Sequence, residues 1–188
     1  MMVQSRLNES IHLPNENELL EVISQADNAS SVINAAYHAL DDAVGALTQR
    51  LFAHNDCAIQ FVVDPLMSND GPLGDMIVRS KLLLGLGMIP KENYEDIECF
   101  VRLKDWLEKQ ENKVIDFTQP VLLTELRTVQ AIKRCMPIEY DPSMISGLSD
   151  SMLKMFIERH NQKVKSTIVI AITDIVSQLR STEPYNPS

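Results

Sequence analysis

The chain has 188 residues, of which 45% are hydrophobic and only 5% are aromatic. This length and apolar share predict one domain with a sizeable core, built mainly from aliphatic side chains. The formal net charge is −9 and the pI is about 4.9. An acidic protein is repelled at long range by nucleic-acid phosphates and anionic membranes, so non-specific binding to either is disfavoured.

No stretch of the chain predicts export or insertion into a membrane. The N-terminus lacks the apolar stretch of a signal peptide. The longest apolar run, 82–90, is about half of the ~20 residues that a membrane span requires. The three cysteines, Cys57, Cys99 and Cys135, are odd in number and far apart, which predicts free buried thiols. We therefore expect a cytoplasmic protein without a disulfide framework.

The first third of the chain predicts helices. Residues 1–16 are polar and predict a flexible tail, and a short helix follows at 16–26. Hydrophobic residues from Ile33 to Leu51 recur every three or four positions, which is typical of one face of an amphipathic helix. Asn28 is among the residues that can cap this helix. Another short helix is predicted at 56–63.

The middle of the chain predicts two helices joined by a glycine-rich turn. The first, at 73–84, is nearly all apolar, so we expect it to be buried on most sides. Gly85 and Gly87 favour left-handed positions at its C-terminus. Pro90 is placed to open the second helix, at 91–110, in its first turn.

The last third predicts two further helices and the longest element of the chain. Pro120 starts a helix that runs to about residue 134, and a connection rich in turn residues follows at 136–147. The final helix spans about 150–179 and has a hydrophobic stripe at mostly four-residue spacing. At ~1.5 Å per residue it would be roughly 45 Å long.

Together these elements predict the fold class. We expect a single all-α domain at 17–180, between flexible tails at 1–16 and 181–188. It should contain about seven helices and a long C-terminal helix. We expect the domain to pack around the C-terminal helix and the 73–84 helix.

Common site motifs are absent from the sequence. The glycine-rich stretch matches neither the P-loop nor the dinucleotide-binding pattern. An EF-hand loop with Gly71 as its sixth residue would need ligands at Leu66 and Ile77, which cannot bind Ca²⁺. His54 and Cys57 have no second pair nearby to complete a zinc site. The sequence thus predicts no metal, no cofactor and no enzyme activity, unless a catalytic site is assembled in three dimensions.

Two features of the sequence bear on nucleic-acid binding. A helix-turn-helix around 85–90 would make 91–110 the reading helix, but Glu92, Glu95 and Asp96 near its start would face phosphates, so we reject it. Two other segments are locally basic and are either solvated helix faces or contacts to DNA or a protein partner. The candidate contacts are Arg127, Lys133, Arg134, Lys154, Arg159, Lys163 and Lys165.

One segment, 64–96, carries a family resemblance. It contains Pro65-Leu66, Asp70-Gly71-Pro72-Leu73-Gly74-Asp75, Arg79, Lys81-Leu82, Gly85-Leu86-Gly87 and Tyr94-Glu95-Asp96. The C-terminal helix adds Val164-Lys165-Ser166-Thr167, Val169, Thr173 and Ile175. In these residues the chain resembles the mannitol operon repressor family of bacterial transcription regulators, over roughly 30–180.

The resemblance implies an all-α fold and negative regulation of the operon for mannitol uptake and oxidation. The family lacks a recognised DNA-binding motif, so the resemblance assigns no DNA contacts. Two hypotheses stay open. The protein contacts the operon's control DNA through the basic segments, or it represses by binding a transcription factor or a sugar-phosphotransferase component. Exposed Met and Leu side chains on long helices also permit a homodimer.

The family's turn motif can be interpreted as structural or as a recognition surface. Asp70 can form a turn, Gly71 can adopt positive φ, and Pro72 presets a first helical turn. Asp75 complements the helix dipole, and Arg79, four residues later, can pair with it. The motif residues with a predicted structural role are Asp70, Gly71, Pro72, Gly74, Asp75, Arg79, Gly85 and Gly87.

Overall fold

A computed structural model describes residues 16–52, 59–111 and 113–183. In these residues there are eight α-helices and no strand, so the predicted all-α fold with a long C-terminal helix is confirmed. The helices are α1 Glu16–Gln25, α2 Ala29–Phe52, α3 Asp64–Met67, α4 Met76–Gly85, α5 Lys91–Glu108, α6 Pro120–Thr128, α7 Gln130–Cys135 and α8 Asp150–Ser181. A π-helical turn, Ile59–Val63, precedes α3, and a 3-10 turn, Pro142–Ile145, precedes α8. Of the predicted tails, residues 1–15 and 184–188 lie outside the described residues, and the domain bounds stay predictions.

Helix α2 lies at the centre of the fold. It contacts α1, α4, α5 and α8, and its stripe of Val32, Ile33, Ala36, Leu40 and Val44 is fully buried. From Ile33 onward these side chains recur every three or four residues, so they form the buried face that the amphipathic pattern predicts.

Helix α4 does not take the central place predicted for it. It begins at Met76 instead of residue 73, and its buried residues are Met76, Arg79, Ser80 and Leu83. Val78 on the same helix is 41% exposed. Only four residues of α4 are buried, and two of these are polar. The prediction that its apolar composition would bury α4 on most sides is therefore wrong.

Several helix ends form as their residues predict. The Asn28 side-chain oxygen accepts a hydrogen bond from the Ser31 N–H at 2.9 Å at the start of α2. Asp75 caps α4 by accepting from the Ile77 N–H at 2.8 Å. Gly87, with φ of 70°, provides the left-handed residue after α4, whereas Gly85 is the last helical residue and has no positive φ. Pro90 is the N-cap of α5 and so lies just before its first turn.

The helix predicted to run from Pro120 to about residue 134 is broken in two. Val129 separates α6 from α7 and has extended backbone angles, φ −61° and ψ 118°. The Asp96 carboxylate of α5 accepts hydrogen bonds from the N–H groups of Gln130, at 2.6 Å, and Ala131, at 2.9 Å. A side chain 34 residues earlier therefore caps α7.

The first part of α8 contributes no buried residue to the core. No residue of 150–159 is buried, and burial on this helix begins at His160. We call 150–159 the arm. At ~1.5 Å per residue it is about 15 Å long, and Ser149 caps it by accepting from the Met152 N–H at 3.4 Å. None of the described helices is long and apolar enough to cross a membrane.

Candidate interaction surface

The family motif forms a tightly packed turn between α3 and α4. A Cβ at Gly71 would lie 2.3 Å from the Pro65 carbonyl oxygen and 2.4 Å from that of Leu66. A Cβ at Gly74 would lie 2.4 Å from the Ser68 carbonyl oxygen. Gly71 does not have the predicted positive φ, so glycine is required here by the close approach of two backbone segments. Residues 70 and 72 lie in the turn itself, and Pro72 does not start the helix.

Arg79 ties this turn to helix α2. Its guanidinium is buried and donates to the carbonyl oxygens of Leu73, at 3.0 Å, and Gly74, at 3.3 Å. It also forms an ion pair with Asp41 of α2. The predicted pair with Asp75 is wrong, since Asp75 caps α4 instead. Arg79 therefore joins the turn to α2 through contacts other than the predicted one.

Three of the seven predicted basic contacts bind other groups of the protein, although Arg127 and Arg134 remain exposed. Arg127 donates to the carbonyl oxygens of Ile138, at 3.4 Å, and Tyr140, at 2.6 Å. Arg134 forms an ion pair with Asp174. The Lys165 ammonium donates to the Ala26 carbonyl oxygen at 2.5 Å. These three cations join segments of the protein to one another.

The other four cations are exposed on the surface. Lys133, Lys154, Arg159 and Lys163 form no ion pair with any described residue. Lys133 lies on α7, whereas the other three lie on the arm or in the helical turn that follows it. Among the described residues, three of the seven candidate cations thus lie unpaired on one part of α8, which also carries the carboxylates of Asp150 and Glu158.

Apolar side chains accompany this charge on the arm. Met152 and Met155 are 55% and 62% exposed, and Phe156 is half-buried. With Leu148 and Arg159 these residues line one shallow depression of the surface. Their spacing of three and four residues places them on one helix face. Met152 and Phe156 belong to the hydrophobic stripe that the sequence predicts for this helix.

Helix α5 has none of the features of a DNA-reading helix. Asn93 and Asp96 in its first two turns are only 3% and 2% exposed. Burial raises the pKa of the Asp96 carboxyl, and the hydrogen bonds from Ala131 and Gln130 together with the Arg134 charge oppose that rise. Residues of a reading helix must be exposed at its N-terminal end, so the structure agrees with the rejection of a helix-turn-helix.

A groove lies beside the arm, between α8 and the extended segment 136–141. Its volume is about 320 Å³, and its lining includes Glu139, His160, Lys163 and Thr167. The His160 Nε2–H donates to the Phe117 carbonyl oxygen at 2.7 Å, and the ring lies 4.5 Å from that of Tyr140, centroid to centroid. His160 is therefore a hydrogen-bonded boundary histidine, with its ring orientation fixed.

The described cysteines are free, but only one is buried. Cys99 is buried and donates to the Glu125 carbonyl oxygen at 3.3 Å, and burial raises the pKa of its thiol to about 11. Cys135 is exposed, so the prediction of a buried thiol is wrong there. Cys57 lies outside the described residues. Within the described part of the chain, no three His, Cys, Asp or Glu side chains are grouped to hold a metal ion.

Comparison with known proteins shows which family has this architecture. The family model described as "MtlR: Mannitol repressor" matches residues 15–180. The chain belongs to the mannitol repressor family. The mannitol operon repressor of Escherichia coli strain K12 is 34% identical over 164 residues, which cover 87% of this chain and 82% of that protein. The predicted class, a regulator of the mannitol operon type, is therefore confirmed.

Another similar protein has an enzyme's name. Fumarase E of Shigella flexneri is 27% identical over 166 residues, which cover 87% of this chain and 96% of that protein. The names of the family and of the more similar relative are those of repressors. The expectation of a non-enzymatic role stays a prediction.

Two solved structures share the fold of this mannitol repressor family member. One is the X-ray structure of the MtlR–HPr complex from Escherichia coli, with a TM-score of 0.73, 32% identity, and coverage of 87% of this chain and 97% of that one. The other is a possible transcriptional regulator, YggD, from Shigella flexneri 2a str. 2457T. Its TM-score is 0.70 at 25% identity, covering 89% of this chain and 99% of that one.

Proposed function

We propose that this protein represses a mannitol-type operon through a protein partner, without reading the operator DNA itself. The partner that we propose first is a phosphotransferase-system protein of the HPr type. The observation that supports it is the complex of MtlR with HPr, formed by a chain with 32% identity to this one. A transcription factor is the other partner class that fits the role. A cytoplasmic location agrees with either partner.

The composition of the arm supports protein binding over DNA binding. Interfaces between proteins are enriched in Met, aromatic and Arg side chains, and Met adapts its shape to a partner. The arm combines the exposed Met152 and Met155 with Phe156 and Arg159 on one face. A surface that reads DNA instead needs several cations aligned with phosphates. Three of the seven cations predicted for that purpose are engaged within the fold.

Charge indicates the kind of partner surface that would fit. The chain carries a net charge of −9, yet Lys154, Arg159 and Lys163 are exposed and unpaired among the described residues. Complementary charge favours the correct partner and orientation during association. We therefore propose that the arm receives an apolar patch bordered by acidic groups. A second copy of this chain is the competing occupant of the arm.

Replacing Met155 with Glu should weaken binding of HPr from the same organism at least about tenfold, because it places a charge in the centre of an apolar contact. The matched control is Lys133→Glu, which changes an exposed cation outside the arm and should change affinity less than about twofold. Isothermal titration calorimetry measures both.

Absence of binding by the unaltered protein would contradict the proposed partner. Equal affinity of the unaltered and Met155→Glu proteins would contradict the arm as its site. Concentration-dependent dimerisation that Met155→Glu abolishes would assign the arm to a second copy instead.

A further inference from the structure

We infer that the groove beside the arm is a binding site for a phosphorylated polyol. The polyol part of this inference rests on the proposed role in mannitol regulation, whereas the position of the site rests on the groove alone. At about 320 Å³ the groove has the size of a small-molecule site.

The walls of the groove are held in place by contacts within the protein. The Arg127 guanidinium holds the extended segment by donating to the carbonyl oxygens of Ile138 and Tyr140. The Tyr140 ring packs against His160, which is itself fixed by its hydrogen bond to the Phe117 carbonyl oxygen. A site with walls fixed in this way loses little conformational freedom when a ligand binds.

The polar groups of the groove suit a ligand with an anionic end and several hydroxyls. Lys163 on α8 and Glu139 on the extended segment both line the groove, and neither forms an ion pair with a described residue. The Lys163 ammonium would bind a phosphate, and the Glu139 carboxylate would accept hydrogen bonds from ligand hydroxyls. Thr167, which is 2% exposed, places a further hydroxyl in the lining.

The same residues give the site a connection to the arm. Lys163 lies one helical turn after Arg159, and His160, at the end of the groove, is the first buried residue beyond the arm. A phosphate bound to Lys163 would neutralise one of the three free cations on this part of α8. Ligand binding would then weaken the attraction of the arm for an acidic partner, which gives the regulator a route to respond to a metabolite.

Isothermal titration calorimetry of the purified chain with mannitol 1-phosphate, mannitol and inorganic phosphate tests the site without any protein partner. We expect saturable binding of mannitol 1-phosphate alone at millimolar concentrations or below. Lys163→Gln should weaken it about tenfold, as expected for the loss of one charge-assisted hydrogen bond, and Glu139→Gln should weaken it less. The control Lys133→Gln should leave it unchanged.

The possible outcomes are distinct. Absence of heat with mannitol 1-phosphate, or equal binding of inorganic phosphate, would overturn the inferred ligand class. Binding that survives both Lys163→Gln and Glu139→Gln would overturn the inferred position. Either result leaves the protein-partner function intact, because the titration contains no partner. Failure of HPr binding in turn leaves the titration with mannitol 1-phosphate fully interpretable.

Discussion

Replacing Gly71 with Ala is expected to lower the free energy of unfolding by about 2–3 kcal/mol. The new Cβ would lie 2.3 Å from the Pro65 carbonyl oxygen and 2.4 Å from that of Leu66. Both atoms belong to the backbone, so they cannot rotate away as a side chain could. The turn is also held by a hydrogen bond from the Leu73 N–H to the Leu66 carbonyl oxygen at 2.8 Å, and relieving the clash would stretch or break it. Urea unfolding followed by circular dichroism measures the change.

Gly85→Ala is the matched control for this substitution. No atom lies within 4 Å of the position that its Cβ would occupy, and Gly85 ends helix α4 without a positive φ. Alanine there should leave stability unchanged or raise it by up to about 1 kcal/mol, since alanine restricts the unfolded chain more than glycine does. Equal losses at positions 71 and 85 would show that the close backbone approach at Gly71 is not what destabilises the variant.

Replacing Asp96 with Ala is expected to lower the free energy of unfolding by about 2–4 kcal/mol. The carboxylate is 2% exposed and accepts two hydrogen bonds, from the N–H groups of Gln130 and Ala131. Its loss leaves these donors without an acceptor at the start of α7, at a cost of about 1–3 kcal/mol for each buried group. Glu95→Ala is the control, because its ion pair with Lys91 is exposed and contributes about 1 kcal/mol or less. A loss at Asp96 no larger than that at Glu95 would contradict the capping role.

The Asp96 carboxyl also predicts a pH dependence. Burial raises its pKa in the folded protein, so the folded state holds this proton more tightly than the unfolded state. The stability that Asp96 contributes is therefore fully present below its ordinary pKa and falls as the pH rises through the raised value. Asp96→Asn removes the titrating group. The free energy of unfolding of the unaltered protein should therefore exceed that of this variant by the largest margin in acid. A difference that instead grew with rising pH would show that the two hydrogen bonds outweigh burial.

The sequence predicts those parts of the fold that depend on neighbouring residues. The stripe from Ile33 to Leu51 predicts the buried face of α2, and Asn28 forms the helix cap that its side chain allows. The break at Val129 follows no local signal, because its cause is Asp96 on another helix. The sequence likewise predicts that Gly71 is needed for a positive φ. Glycine is instead required there because the Pro65 carbonyl oxygen, six residues away, leaves no room for a Cβ. Hydrophobic periodicity describes one helix at a time. It therefore cannot predict contacts that join different segments of the chain.

The candidate surface was predicted only in part for the same reason. The sequence alone does not show which of the seven cations are free to contact a partner. Only their contacts in the folded protein distinguish them. Arg134 meets Asp174, and Lys165 meets the Ala26 carbonyl oxygen, so neither is free. The hydrophobic stripe of the last helix, which begins at Met152, does not show where burial begins. Met152, and Met155 beside the stripe, are exposed, because burial on α8 begins only at His160.

The proposal that repression acts through a protein is tested most directly by operator binding. Fluorescence anisotropy of the labelled mannitol operon control region, against scrambled DNA, would be measured with the purified protein at low and at physiological salt. We predict no preference for the operator at either salt concentration, and no effect of Lys163→Glu on the residual binding. Specific binding by the protein alone, weakened by salt and by Lys163→Glu, would contradict the proposal and identify a direct repressor.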